Sequence, residues 1–262
     1  MPLRWLLVAL SLFAPATALA LTPVTLCNGQ TVEPLPDGRM LGHIPYPEGN
    51  PADMVVIPGN FGVGRACELH RDAAAAITAL LAAADQVPGV KGKLRGISCF
   101  RTIERQRQIF CGQIGPGKRC KDAAERARSS GPPGYSEHAT GYALDFAIRP
   151  LTRDCGDVSD CIANTPAGKW LLQHAPEFGF ELSFPPGNAQ GVTWEPWHWR
   201  WVGLSATAPG AAAARTLFAT ARSRFPASPA VTDLPPQWQK AIEPLPAPTP
   251  MPVPTPAPAW PK

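Results

Sequence analysis

The segment Gly141–Ile148, "GYALDFAI", alternates large apolar side chains with small ones and a single aspartate. Side chains on a strand point to opposite faces in turn. Tyr142, Leu144, Phe146 and Ile148 therefore enter a core, and Ala143, Asp145 and Ala147 share the other face. Asp145 sits in space cleared by two alanines. A carboxylate held there needs a donor, a cation or a metal to offset its lost hydration. Gly141 permits a bend just before the strand, so His138 can fold back toward Asp145 and add a second ligand of a type that zinc prefers.

Helical and extended patterns alternate around this strand. "RDAAAAITALLAAADQV" has high helix propensity and stops before Pro88. "KLRGISCF" reads as a strand, after which Thr102 caps a helix through "IERQRQIF". Residues 111–135 form a Gly/Pro/basic loop with one short helix at "KDAAERAR". "NTPAGKWLLQHAPEFGF" is a capped helix ending near Gly179, and "GVTWEPWHWRWVG" is aromatic and extended. "APGAAAARTLFATARSRF" predicts one last helix. There is neither a βαβ rhythm nor a Gly-rich phosphate loop. The expected class is α+β, a small antiparallel sheet flanked by helices.

The ends differ from this middle. Residues 1–20 combine Arg4, an apolar run from Trp5 to Phe13 and a small-x-small Ala18-Leu19-Ala20, the pattern of a cleaved secretory signal; an uncleaved anchor is the alternative. Residues 21–68, rich in Gly, Pro and Asn, read as an irregular, surface-hugging segment with a short strand at "DMVVIP". Residues 69–224 form the main domain. Residues 225–262 form a proline-rich tail, biased to extended polyproline II, that serves as a linker or as a tether in the cell envelope. No later segment reaches transmembrane length, so no stable membrane insertion is expected once the signal is removed. The seven cysteines of an exported chain imply disulfides, with at least one thiol left over. Cys155 with Cys161, and Cys111 with Cys120, bracket short polar loops that local bridges would staple. The formal net charge of +4 is spread along the chain without a Lys/Arg cluster among aromatics, which argues against a nucleic-acid partner.

A second stretch, "WEPWHWRW" (194–201), completes the chemistry. Trp197, Trp199 and Trp201 share one face, for a core or a substrate cleft, and His198 and Arg200 share the other. Pro196 favours a turn that brings Glu195 beside His198. His138, Asp145 and His198 then make three metal ligands with an open fourth position, and Glu195 is a carboxylate placed to act as a base. In "SCFRTIERQ", Arg101 stands at a strand end, where its guanidinium can reach over a cleft toward a carboxylate or a developing oxyanion. His43, His70 and His174 read as structural or surface residues. S-x-x-K, G-x-S-x-G and H-E-x-x-H are all missing.

"SEHATGYALDF" with "WEPWHWRWVG" resembles the VanY-type zinc D-alanyl-D-alanine carboxypeptidases of the LAS metallopeptidase group, read as S-x-H, six residues, D, and later E-x-x-H. "SCFRTIERQRQIF" is similar to the family's S-G-Y-R-S segment with its downstream Gln, with Cys99, Phe100 and Thr102 as departures. The resemblance covers roughly residues 45–203. It implies a Hedgehog/DD-peptidase-like zinc peptidase fold for residues 69–224. It also implies a Zn2+ cofactor on His138, Asp145 and His198, with Glu195 as catalytic base. Arg101 and Ser136, and more weakly Gln106, would contact substrate. The implied activity is trimming of peptidoglycan stem peptides outside the cytoplasm. The rivals are an L,D-carboxypeptidase, a cross-link endopeptidase, and a non-catalytic wall-binding module. The last would normally close its zinc with a fourth protein ligand.

Overall fold

The computed structural model describes residues 22–233; the expected signal segment and most of the proline-rich tail lie outside the described residues. The chain opens with a hairpin of β1 (Val24–Cys27) and β2 (Gln30–Val32), turned at Asn28-Gly29 with Gly29 at φ +69°. Asn-Gly is a strong hairpin signal because both turn residues tolerate positive φ. β3 (Met54–Val56) pairs antiparallel with β4 (Glu68–His70), which runs directly into α1 (Arg71–Ala84). β5 (Leu94–Ser98) and α2 (Ile103–Cys111) follow, with the Thr102 hydroxyl accepting from the Arg105 amide as expected. α3 (Ala123–Ala127) is capped by Asp122. β6 (Ala143–Ile148), α4 (Pro166–His174), β7 (Phe180–Leu182) and β8 (His198–Trp201) come next. α5 (Ala211–Leu217) and α6 (Ala219–Arg224) close the fold.

The central sheet has the order β5-β6-β8-β7, with every neighbouring pair antiparallel. The expected α+β class with a small antiparallel sheet is what the chain adopts. The sheet has two unlike faces. Leu144 of β6, Trp199 of β8 and Leu182 of β7 stand in register on one face, with Phe180 opposite Trp201. These side chains join Ala73, Ala74, Ile77 and Leu80 of α1 in the main core. Alanines on α1 let the helix approach closely, and the two large indoles fill the space that remains. Trp199 is fully buried, and truncating such a side chain costs about 3–5 kcal/mol. The opposite face carries Asp145, His198, Arg200 and Glu181, again in register. Ala143 faces Arg200, so a small residue leaves room for a long one.

Several sequence expectations need correction. Residues 21–68 are not a surface wrapping: Ile44, Tyr46, Ile57, Phe61 and Cys67 belong to the main core, and the segment supplies β1 and β2 as well as β3, and ends on the first residue of β4. The packed unit also extends past residue 224, since Phe225 and Val231 are buried and the Leu182 amide donates to the Pro229 carbonyl. The last helix is two, broken at Phe218, whose ring is fully buried. Only four residues of "GVTWEPWHWRWVG" form a strand, because the turn at Glu195–His198 uses the preceding ones.

The disulfides follow the tertiary fold rather than loop proximity. Cys155 pairs with Cys161 as expected, but Cys111 pairs with Cys27 and not with Cys120. The last turn of α2 faces β1, which carries Cys111 away from its neighbour in sequence; Cys120 is free and buried. Cys67 pairs with Cys99. The Cys27–Cys111 bond spans 84 residues and ties the N-terminal hairpin to α2. By loop-closure entropy a bridge of that span stabilises by about 4–5 kcal/mol.

Candidate metal centre and active site

Three local devices place the ligands. Asp145 and His198 are direct cross-strand partners in β6 and β8, so their side chains leave the same face together. His138 lies in a 3₁₀ turn (Glu137–Thr140) that ends at Gly141, φ +79°. A Cβ on Gly141 would meet the Met54 side chain at 2.5 Å, so both the turn and the packing require glycine there. In β5 a bulge shifts register between Gly96 and Ser98, setting Ser98 opposite Asp145. Bulges re-aim the residues that follow them, and the chain beyond this one presents Arg101 to the cleft.

The ligand atoms of His138, Asp145 and His198 lie within 4.8 Å of one another, and all three residues are buried. His138 Nδ1 is 2.9 Å from the Cys99 carbonyl oxygen and donates to it, which leaves Nε2 as a lone pair. That Nε2 is buried without a hydrogen-bond partner, 3.2 Å from Asp145 Oδ2. An orphaned imidazole nitrogen beside a carboxylate is what a metal site looks like from its ligands. Two nitrogens and one oxygen suit zinc, and they leave a fourth position open.

His198 is held from both sides. Its Nδ1 lies 2.9 Å from Asp145 Oδ1, and its Nε2 lies 2.9 Å from Glu137 Oε2. Glu137, which the sequence reading passed over, is the centre of a buried network. It also accepts from Ser183 Oγ at 2.6 Å, from Arg200 Nη1 at 2.8 Å and from Tyr46 Oη at 3.3 Å. Arg200 in turn donates to Glu181 at 2.8 Å. Burial alone would raise the Glu137 carboxyl, but Arg200, His198 and Ser183 hold it far below the usual carboxylate range. A fixed anion on Nε2 aims Nδ1 of His198 at the metal position, as outer partners of ligating histidines do. The sequence signal was its place between Ser136 and His138, which forces it inward with the ligand.

Two consequences can be measured. Glu137→Gln puts an amide donor against either Arg200 or His198, so zinc affinity should fall roughly 10–100-fold in a competition titration with a chromophoric chelator. An unchanged affinity would contradict the role. The second concerns protons. Burial works against a charge on His198, but its bonds to Asp145 and Glu137 prevail and push it up to about 10 in the metal-free protein. His138 is pulled down to about 4 by burial and by Arg101, and so is neutral. Zinc must displace the Nδ1 proton of His198. Affinity should therefore weaken by roughly tenfold for each pH unit lowered below that value. Calorimetry at neutral pH in buffers of different ionisation heat should show at least one proton released; none released would refute the assignment.

Glu195, 6% exposed, follows Phe184 across a backbone hydrogen bond and turns back through its carbonyl to the His198 amide. Pro196 sits in that turn, as expected from sequence. Burial pushes the Glu195 carboxyl up to about 8, and Asp145 and Glu137 add to this against the pull of His198 and Arg101. A dication at the three ligands would lower it again and leave a base. Arg101 donates to Ser98 Oγ at 3.0 Å, while its Nε is buried without an acceptor. Arg101, Ser136, His138, Asp145, Glu195 and His198 all line one cleft of about 350 Å³. Trp197, half-buried, also lines it, whereas Trp199 and Trp201 are core. His43, read as structural or surface, is buried in the cleft wall and bonded to the Ala127 carbonyl. Gln106 does not reach the cleft. It is fully buried and donates to Ser130 and to the Gly131 carbonyl, so it holds the loop that forms the wall.

A family model described as VanY, D-alanyl-D-alanine carboxypeptidase, matches residues 66–204. The chain belongs to the VanY family. This VanY-family chain is 28% identical over 163 residues to YodJ of Bacillus subtilis (strain 168), covering 60% of this chain and 55% of that one. It is 39% identical over 75 residues to a D-alanyl-D-alanine carboxypeptidase of Enterococcus faecium, covering 28% of this chain and 22% of the relative. The VanY-family chain thus spans about half or less of the length of these curated relatives. Among solved structures it is similar to the LdcB LD-carboxypeptidase, described with its basis of peptidoglycan recognition. The TM-score there is 0.50 at 25% identity, over 65% of this chain and 74% of that one. The matched span contains every ligand, Glu195 and Arg101 of the VanY-family site.

Proposed function

We propose that the protein is an exported zinc carboxypeptidase that removes terminal D-alanine from peptidoglycan stem peptides ending in D-Ala-D-Ala. The observation that carries this reading is the convergence of His138, Asp145 and His198 with Glu195 and Arg101 in one cleft. When bound at the three ligands, zinc supplies a Lewis acid and brings the pKa of water to about 7. Glu195 takes a proton from the attacking water and returns it to the departing amine. Arg101, desolvated and with a free Nε, donates to the oxygen on which charge develops. Ser136, at the cleft wall, positions the peptide. The D,D preference is supported by the description of the matching family. Export is supported by the leading segment and by the three disulfides among the described residues.

The likeness to LdcB favours a second reading, cleavage of the L,D bond in a tetrapeptide. One experiment separates the two. Zinc-loaded protein is incubated with a stem pentapeptide and with the matching tetrapeptide, each with and without chelator, and the products are weighed by mass spectrometry. Loss of one alanine from the pentapeptide alone, abolished by chelator, is the expected result. Loss from the tetrapeptide alone would replace the first reading with the second. No loss from either would sink both.

A further inference from the structure

The cleft does not end at the ligands. Its wall continues through Arg126 and Arg119 into an adjoining recess that takes in Arg105 and Gln113. Arg126, on α3, is only 8% exposed. Its Nη1 donates to Ser129 Oγ at 3.2 Å, and its Nε is buried with no acceptor. Among the described residues no carboxylate stands within ion-pair distance of Arg126 or of Arg119. Arg200, buried more deeply still, has two carboxylate partners, Glu137 and Glu181. A buried guanidinium without a counterion is costly to hold. Burial weighs most against the Arg126 charge and the positive field of Arg119 adds to it, against the opposing pull of Cys120 and Glu195, and no carboxylate is close enough to pair with it directly.

The geometry points to an anion subsite in which Arg126, with Arg119, receives a free carboxylate on the acyl side of the scissile bond. This rests on the carboxypeptidase reading above. Arg101 is the cation beside Ser98 and Asp145, next to the ligands. The arginine-lined wall instead runs outward to the exposed side of α2. A carboxypeptidase releases a single residue, so only the longer acyl portion of the substrate can follow that wall. The preferred substrate is therefore a stem peptide whose acidic group has been left unamidated. A planar guanidinium fork meets such a carboxylate with two charge-assisted bonds, which a carboxamide cannot match.

Two matched peptides ending in D-Ala-D-Ala test this, one with a free carboxylate upstream of the scissile bond and one with the carboxamide. The zinc-loaded full chain should favour the carboxylate peptide by about tenfold or more in kcat/KM. Arg126→Gln should bring that ratio close to one, and Arg126→Lys should keep part of it. Zinc content and thermal melting report whether each variant is folded; if Arg126→Gln is not, Arg119→Gln in the same paired assay decides. Calorimetric binding of both peptides to zinc-loaded Glu195→Gln protein reads the subsite without turnover. Arg126-dependent preference in binding, with no cleavage by the wild type, would refute the proposed reaction and uphold the subsite. Equal slowing of both peptides by Arg126→Gln, or no preference in the wild type, would overturn it. So would an Arg126→Gln effect that vanishes when only the C-terminal carboxylate is amidated.

Discussion

Glu195→Gln should leave zinc bound at full stoichiometry and lower kcat by about 10³-fold or more. General acid–base groups contribute about 10²–10⁴-fold, and in the proposed reaction this carboxylate would serve at two points, first as acceptor and then as donor. The side chain is not among the ligands, so metal content should not change. The amide is nearly the same size as the acid. It fits the same buried position between Phe184 and His198 without a cavity or an overpacked contact. The two readouts together decide the matter. Hydrolysis retained within a fewfold of wild type would remove Glu195 from the mechanism, and zinc lost with the activity would make it a ligand instead.

His198→Ala should abolish stoichiometric zinc, measured by elemental analysis after dialysis against a limiting free-metal buffer. The deletion does more than take one of three ligands. It also strands the buried Asp145 Oδ1 and takes from Glu137 Oε2 one of its two donors, leaving only Ser183 Oγ. Breaking a buried charged contact of this kind costs about 3–5 kcal/mol, so the melting temperature should fall even in metal-free protein. Full zinc occupancy in this variant would contradict the ligand set. An unchanged melting temperature without metal would contradict the network that holds His198 in place.

The sequence carried the active face well and the surroundings poorly, for physical reasons. Period-two alternation in residues 142–148 made the Asp145 face visible, and Pro196 made the Glu195 turn visible, because both are local constraints. The three-residue strand Phe180–Leu182 was hidden by its length and by the helix before it. Its Glu181 looks like a surface charge, yet it is buried against Arg200 and Arg222. Glu137 was hidden in the same way, since partners such as Arg200 and Ser183 are distant in sequence. The Asn28-Gly29 hairpin carried a turn signal that the expectation of an irregular segment over residues 21–68 did not use. Cysteine pairing could not be read from spacing, because the fold brings Cys27 to Cys111 across most of the N-terminal half. Gln106 was assigned by resemblance to substrate. Its complete burial shows that a residue can sit in a recognisable motif and serve the wall of a cleft rather than its contents.

The carbonyl that orients His138 belongs to Cys99, and Cys99 is bonded to Cys67 at the start of the β4–α1 unit. The bridge therefore reaches the metal through one peptide group. The same carbonyl is also steadied by backbone bonds on its far side, from the Phe100 amide to the Glu68 carbonyl and from the Arg101 amide to the His138 carbonyl. Covalent cross-linking and metal-site geometry thus meet at a single backbone carbonyl, so the residue that fixes Cys99 also bears on the tautomer of a metal ligand.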